Sequence, residues 1–151
     1  MLSNFELEDM CNQLELPMVS ICMKDELPKS VQDGGYIINL DSSTNSNGTH
    51  WTALIIQGNE AQFFDPFGVV PSVEIIKFVK KRPKCRLAYV STQIQDLKSQ
   101  RCGYFCVAFL YYCMKLCPGS IFDSGNDFPT LFSDDTIEND SLLRKVFQHM
   151  R

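Results

Sequence analysis

A chain of 151 residues with 44% hydrophobic and 21% charged residues can bury one sizeable core and has the composition of a folded chain, not of a disordered segment. Its formal net charge of −4 opposes tight binding to a polyanion, because nonspecific nucleic-acid affinity comes from Lys and Arg neutralising phosphates; nucleic acid is therefore not expected as the main ligand. No apolar stretch reaches the roughly 18 residues that span a bilayer, no basic then apolar leader follows Met1, and seven cysteines, an odd number, do not suit a secreted disulfide framework. The expectation is one soluble, intracellular domain over residues 1–151, monomeric, with reduced thiols.

In chain order, Leu2-Ser3-Asn4-Phe5-Glu6-Leu7 reads as a helix start: Ser3 caps, Glu6 closes a capping box and Leu2 staples to Leu7. That helix is predicted to reach about Leu14. A short apolar stretch, Val19 to Met23, and a polar connection through Pro28 and Gly34-Gly35 follow. Tyr36 to Leu40 is β-rich, and Asp41 to Thr49 holds only turn-forming polar residues and Gly, which predicts a strand and then an exposed loop. His50 to Gln57 is a second strand, and Gly58-Asn59 is a hairpin signal before Glu60 to Asp65. His50 thus opens one strand and Asp65 closes its partner, at one end of the pair.

Beyond Pro71-Ser72, apolar residues at 73, 75, 76 and 79 predict a helix packed on the sheet. The basic residues Lys77, Lys80, Lys81, Arg82, Lys84 and Arg86 read as a solvated face, with docking of an acidic surface as the other reading. Arg86 to Ser91 is the next strand. Cys102 to Leu116 is apolar almost all round, as in a central helix enclosed by other elements, and Pro118-Gly119 stops it. Residues 120–135 read as a long loop and Asp140 to His149 as a final amphipathic helix. The predicted fold is α+β, a mostly antiparallel or mixed central sheet with flanking helices.

Of two histidines, His149 lies where chain ends fray, which leaves His50 as the base for any thiol chemistry; its other reading is a strand-end histidine without a role. Cys102 stands at the start of the apolar helix, where unpaired N–H groups favour a thiolate and can hold an oxyanion. Gly103 has no side chain to obstruct a substrate there. Cys106, Cys113 and Cys117 raise the question of zinc, but four sulfurs along one helix cannot enclose a metal tetrahedrally; these, with Cys11 and Cys22, read as small apolar core residues. No metal is expected. Asp65, between aromatics and ahead of a turn, can accept an imidazole N–H and fix the tautomer through Nδ1, or simply start the Pro-Gly turn.

Together these segments resemble the adenain family of viral endopeptidases and the wider clan that includes proteases of ubiquitin-like proteins. Gly48-Thr49-His50-Trp51 is similar to the histidine motif, and Phe64-Asp65-Pro66-Phe67-Gly68 to the acid motif. Gln95 followed by Cys102-Gly103-Tyr104-Phe105-Cys106 is similar to the glutamine and nucleophile motifs. The resemblance implies an adenain-like fold with the nucleophile at the N-terminus of a buried central helix. It implies that His50 takes the thiol proton, Asp65 orients His50, Cys102 attacks, and Gln95 joins the Cys102 backbone N–H in an oxyanion hole, with Gln93 as the donor if the register slips by two residues. Trp51 would flank the site and shield the ion pair, and Cys85 would stand where adenain bonds an activating peptide by a disulfide, a free Cys85 being the other reading.

The motifs look most like those of virophages, Polinton-type elements and large DNA viruses. That implies a capsid-precursor protein as substrate, and virion, host cytoplasm or virus factory as location. No cofactor is implied as required, though a peptide or DNA activator is compatible with the family. An isopeptidase for ubiquitin or a SUMO-like modifier would use the same triad, and a catalytically inactive binding module of the same fold is the third reading.

Overall fold

The computed structural model describes residues 1–41 and 50–150, the side chains of 145, 146 and 148–150 excepted. Helix α1 (Asn4–Gln13) starts as its sequence dictates: Ser3 accepts from the Glu6 N–H, and the Glu6 carboxylate accepts from the Ser3 N–H. A five-stranded sheet follows in chain order, β1 (Met18–Met23), β2 (Gly34–Asn39), β3 (Trp51–Gln57), β4 (Glu60–Phe64) and β5 (Arg86–Tyr89). The inner pairs β2–β3 and β3–β4 are antiparallel, and the outer pairs β1–β2 and β4–β5 are parallel. The sheet is therefore mixed, and the fold class is α+β with helices on both faces. The parallel step from β4 to β5 is possible because α2 (Val73–Val79), capped by Ser72, crosses between them.

Because side chains alternate along a strand, the central strands are buried on both faces. Ile37, Ala53, Ile55 and Phe64 face a large core shared with α1, with α3 (Cys102–Tyr111) and with the C-terminal helices. Tyr36, Ile38, Leu54, Ile56 and Phe63 face a second core closed by Ile75, Phe78 and Val79 of α2. This explains why β3 reads as a continuous apolar run, as strands covered on both sides do. No helix among the described residues is long and apolar enough to cross a membrane.

Three expectations are corrected. The predicted helix over Cys102 to Leu116 is α-helical only to Tyr111 and then widens into a π-turn over Tyr112–Leu116, with the Cys117 N–H donating to the Tyr112 carbonyl at 2.8 Å. Residues 120–135 are not one long loop: α4 (Ile121–Asp127), capped by Ser120, runs into a 3₁₀ turn over Phe128–Leu131. Its buried positions, Ile121, Ser124, Gly125 and Phe128, do follow the helical period, but two of them are not apolar, so the stripe is invisible to hydropathy. The last helix, α5 (Thr136–Met150), begins four residues early, because Asp135 accepts from the backbone N–H groups of Ile137 and Glu138. The polar loop ahead of His50, at residues 42–49, lies outside the described residues.

Gly125 lets α4 lie on β4 at close range. A Cβ there would sit 2.6 Å from Cδ of Gln62, a fully buried side chain with little room to withdraw. Gly125→Ala is predicted to lower stability by about 1–3 kcal/mol through overpacking, against a helix-propensity gain of about 1 kcal/mol. The measurement is the urea midpoint, and an unchanged or raised midpoint contradicts the packing assigned to α4.

Candidate active site

The register of the β3–β4 hairpin, Ala53 opposite Phe64, brings the residue before β3 and the residue after β4 to one sheet end. There Nε2 of His50 lies 2.7 Å from Oδ1 of Asp65, with His50 6% and Asp65 1% exposed. The same carboxylate oxygen accepts from the Phe67 N–H at 2.8 Å, and Gly68 N–H closes a turn onto the Asp65 carbonyl. The acid is thus fixed by its own turn. The nitrogen facing Asp65 is Nε2, not the Nδ1 expected from the sequence.

Cys102 is the first residue of α3, 1% exposed, and no side chain caps that helix N-terminus. Its sulfur accepts a hydrogen bond from the Trp51 backbone N–H at 3.3 Å and interacts with His50. Burial is the largest single influence on His50 and pushes its pKa down. Hydrogen bonds and charge from Asp65 and Cys102 together outweigh it and raise the imidazole from 6.5 to about 9. The Phe67 ring stacks on the imidazole at a centroid distance of 4.2 Å and an angle of 12°, covering one ring face. The flat shield on His50 is therefore Phe67. The Trp51 indole turns toward the core instead and donates from Nε1 to the Leu2 carbonyl at 2.9 Å.

Gln95 is fully buried, its backbone N–H donating to the Pro66 carbonyl and its amide Nε2 to the Ser99 carbonyl, each at 3.0 Å. Gln93 is exposed and donates to the Gln95 carbonyl, so of the two only Gln95 turns its amide inward. Gly68 makes this loop's close approach possible: at φ +75° it lies where a Cβ would be 2.7 Å from the Ser91 carbonyl oxygen. Gly103 has a different role from the one expected. A Cβ there would meet Leu2 and Leu7 at 3.1 Å, so its missing side chain accommodates the α1 staple and not a substrate. Cys85 stands before Arg86, which pairs with Glu60 beside the hairpin turn; that is the sheet end remote from His50, about 20 Å along a seven-residue strand. Burial raises the Cys85 thiol pKa. Among the described residues no group of three His, Cys, Asp or Glu is placed to hold a metal.

Burial likewise raises Cys11 and Cys113 to about 12 and Cys106 well above the usual thiol range, as suits core thiols. The side chain of His149 and the motif residues Gly48 and Thr49 are outside the described residues.

Two residues that sequence reasoning passed over hold the site together. Phe67 had only its place in the acid motif to mark it. Asn139 had no signal at all: it is fully buried on α5, donating to the carbonyls of Ile94 at 3.0 Å and Ser133 at 2.8 Å and accepting from the Ser133 N–H at 2.8 Å. Arg101 and Asp140 add a 3.7 Å ion pair between the same two segments. The C-terminal helix thereby fastens the loop that carries Gln95 and leads into Cys102.

No family model matches the chain, and no curated protein matches it in sequence. Among solved structures it is similar to ChlaDub1 from Chlamydia trachomatis, at 14% identity and a TM-score of 0.47 over 99% of this chain and 79% of that one. It is similar to the central domain of an uncharacterized Legionella pneumophila protein, at 14% identity and a TM-score of 0.44 over 95% of each chain. A selenomethionine crystal structure of an ASFV protease is similar at 17% identity and a TM-score of 0.43 over 60% of this chain. This chain spans 37% of that protease's length.

Asn139→Ala is predicted to destabilise the chain by about 2–3 kcal/mol, since it leaves buried backbone groups unpaired. Amide hydrogen exchange should accelerate most in residues 94–101. Uniform acceleration, with that loop no more affected than the sheet, contradicts the fastening role.

Proposed function

We propose that this chain is a cysteine peptidase in which Cys102 is the nucleophile, His50 the general base and acid, and Asp65 the residue that orients and charges His50. The observation that carries the reading is the buried constellation itself: a thiol at an uncapped helix N-terminus, next to an imidazole whose pKa it helps to raise and that a buried carboxylate holds at 2.7 Å. A structural ion pair would need no thiol beside it, and a core cysteine would need no imidazole.

With the proton on His50, the Cys102 sulfur attacks the substrate carbonyl carbon, and the carbonyl π pair becomes an oxyanion. In this reading the backbone N–H of Cys102 and the second amide hydrogen of Gln95 receive it, since donors aimed at a developing charge act mainly on the transition state. Collapse breaks the C–N bond as the His50 proton passes to the leaving amine. His50 then takes a proton from water as the hydroxide adds to the thioester carbonyl; collapse of this second oxyanion breaks the C–S bond, the acyl product leaves as its carboxylic acid, and the Cys102 thiolate and His50 imidazolium are restored. Cys102 is 1% exposed, so the groups covering it move when substrate binds.

For the substrate we take the resemblance of the motifs around His50, Asp65, Gln95 and Cys102 as the guide: a virion precursor protein cut during particle maturation, in the virus factory or the virion. Incubation with capsid precursor, with cleavage sites mapped by mass spectrometry, tests this. Cleavage only of a ubiquitin-like modifier fused to a fluorogenic leaving group would move the substrate to the isopeptidase class and leave the chemistry in place.

Cys102→Ala and His50→Ala are predicted to abolish turnover on either substrate. Gln95→Ala should lower kcat by about 10²–10³, with Gln93→Ala nearly silent. The imidazolium is required, and its pKa of about 9 places an alkaline limb there: activity falls as pH rises through that value. Asp65 raises the His50 pKa, so Asp65→Asn should move the limb to lower pH. The same sign governs stability, since the charged pair stabilises the fold fully below about 6.5 and ceases to do so as pH rises through about 9. An alkaline limb that stays in place in Asp65→Asn contradicts the role given to Asp65.

A further inference from the structure

The thiol has a second supporter besides His50, and it follows from where the sheet ends. In an antiparallel pair, the N–H and C=O of one residue point to the same neighbouring strand, and successive residues alternate. The Leu40 N–H donates to the His50 carbonyl at 2.9 Å, so His50 turns its main chain toward β2 and Trp51 turns its own toward β4. Ala53 pairs with Phe64, which would put Pro66 opposite Trp51. Proline has no N–H to give, and the Pro66 carbonyl accepts instead from Ile94 and Gln95. The ladder therefore stops one rung short, with both polar groups of Trp51 facing the gap.

Two cysteines one helical turn apart on α3 occupy that gap. The Trp51 N–H donates to the Cys102 sulfur at 3.3 Å, and the Cys106 S–H donates to the Trp51 carbonyl at 3.3 Å. Cys106 is fully buried, and its pKa is raised by burial first and then by the negative charges nearby, so it stays a protonated donor. The titratable groups around this pair are His50 ahead of β3, Asp65 after β4 and Cys11 on α1.

We propose that the Trp51 main chain and Cys106 form a clamp that holds the nucleophile: the Trp51 N–H is a hydrogen-bond donor to the Cys102 thiolate, and Cys106 is the positioning residue that keeps it aimed. This rests on Cys102 being the nucleophile. A thiolate benefits from a donor more than a thiol does, so the clamp favours the reactive form, and it ties α3 to β3 at the one point where both meet the chemistry. It also gives Cys106 a task that an apolar residue of the same size cannot perform.

The test is peptide-resolved alkylation of Cys102 by iodoacetamide, from about pH 5 to about pH 9, in the unaltered chain, Cys106→Ala and Cys106→Ser; the thiolate is the species that reacts. Cys106→Ala should lower the rate at about pH 6 by roughly five- to tenfold, as expected for weakening a hydrogen bond to a charged group, and move the profile to higher pH. Cys106→Ser keeps a donor and should recover most of the rate. Profiles that coincide in all three chains overturn the clamp, and so does an equal loss in Ala and Ser, which would mean that only the bulk of sulfur matters.

If Cys106→Ala does not fold, the unaltered chain still decides. The Trp51 amide proton should shift as Cys102 ionises, by more than it does in Cys102→Ser, where only His50 titrates. A Trp51 amide that titrates identically in both chains overturns the proposal. A Cys102 that alkylates no faster than a model thiol near neutral pH overturns the nucleophile reading itself, and the clamp with it, whereas a fast Cys102 with unchanged variants overturns the clamp alone.

Discussion

An imidazole and a carboxylate buried 2.7 Å apart are the contact on which the other features of the site depend. Removing two charges from water costs several kcal/mol per ion unless each is matched and hydrogen-bonded. Here the carboxylate oxygen that meets His50 also accepts the Phe67 N–H, and Cys102 adds to Asp65 in favouring the charged imidazole. Burial alone would leave His50 neutral. Because Asp65 and Cys102 reverse that tendency, the ring carries a proton where a leaving amine would need one. Phe67 stacks on that ring and keeps water from one face, and its place is set by the turn that Asp65 begins.

The two halves of the chain divide the work. The β3–β4 hairpin supplies His50 and Asp65 through register, and α3 supplies Cys102 through its N-terminus. What joins them is a loop without regular structure, residues 90–101, held from three sides. Gly68 lets the acid turn lie against it, Pro66 accepts two of its N–H groups, and Asn139 and Asp140 fasten it from α5. Proline at 66 serves twice: it ends the β ladder, opening the gap that the two α3 cysteines fill, and offers its carbonyl to the Gln95 loop. The C-terminal helices are thus part of the site's support and not an appendage to it.

How much of this is legible from sequence depends on whether a contact is local. The capping box at Ser3 and Glu6, the Gly58-Asn59 hairpin, and the joint position of His50 and Asp65 rest on short-range rules, and the structure has each of them. The buried stripe of α4 contains Ser124 and Gly125, which hydropathy does not mark, and the fit of Gly125 depends on Gln62 from a distant strand. Asn139 was hidden because its partners lie 45 residues away, at Ile94, and in the preceding turn. At Gly103 an absent side chain leaves room on whichever side the fold brings close, which the sequence does not specify, and that side is Leu2 and Leu7. The choice of ring nitrogen on His50 depends on rotamer and strand direction together, which no motif records.

The most direct measurement is the covalent intermediate. A peptide ester with a good leaving group, mixed with the protein and quenched in acid within the first turnover, should leave one acyl group on the chain, and peptide mass spectrometry should place it on Cys102. The label should vanish in Cys102→Ala and persist, formed more slowly, in Gln95→Ala. An acyl group on another cysteine, or ester hydrolysis that continues undiminished in Cys102→Ala, would contradict the account.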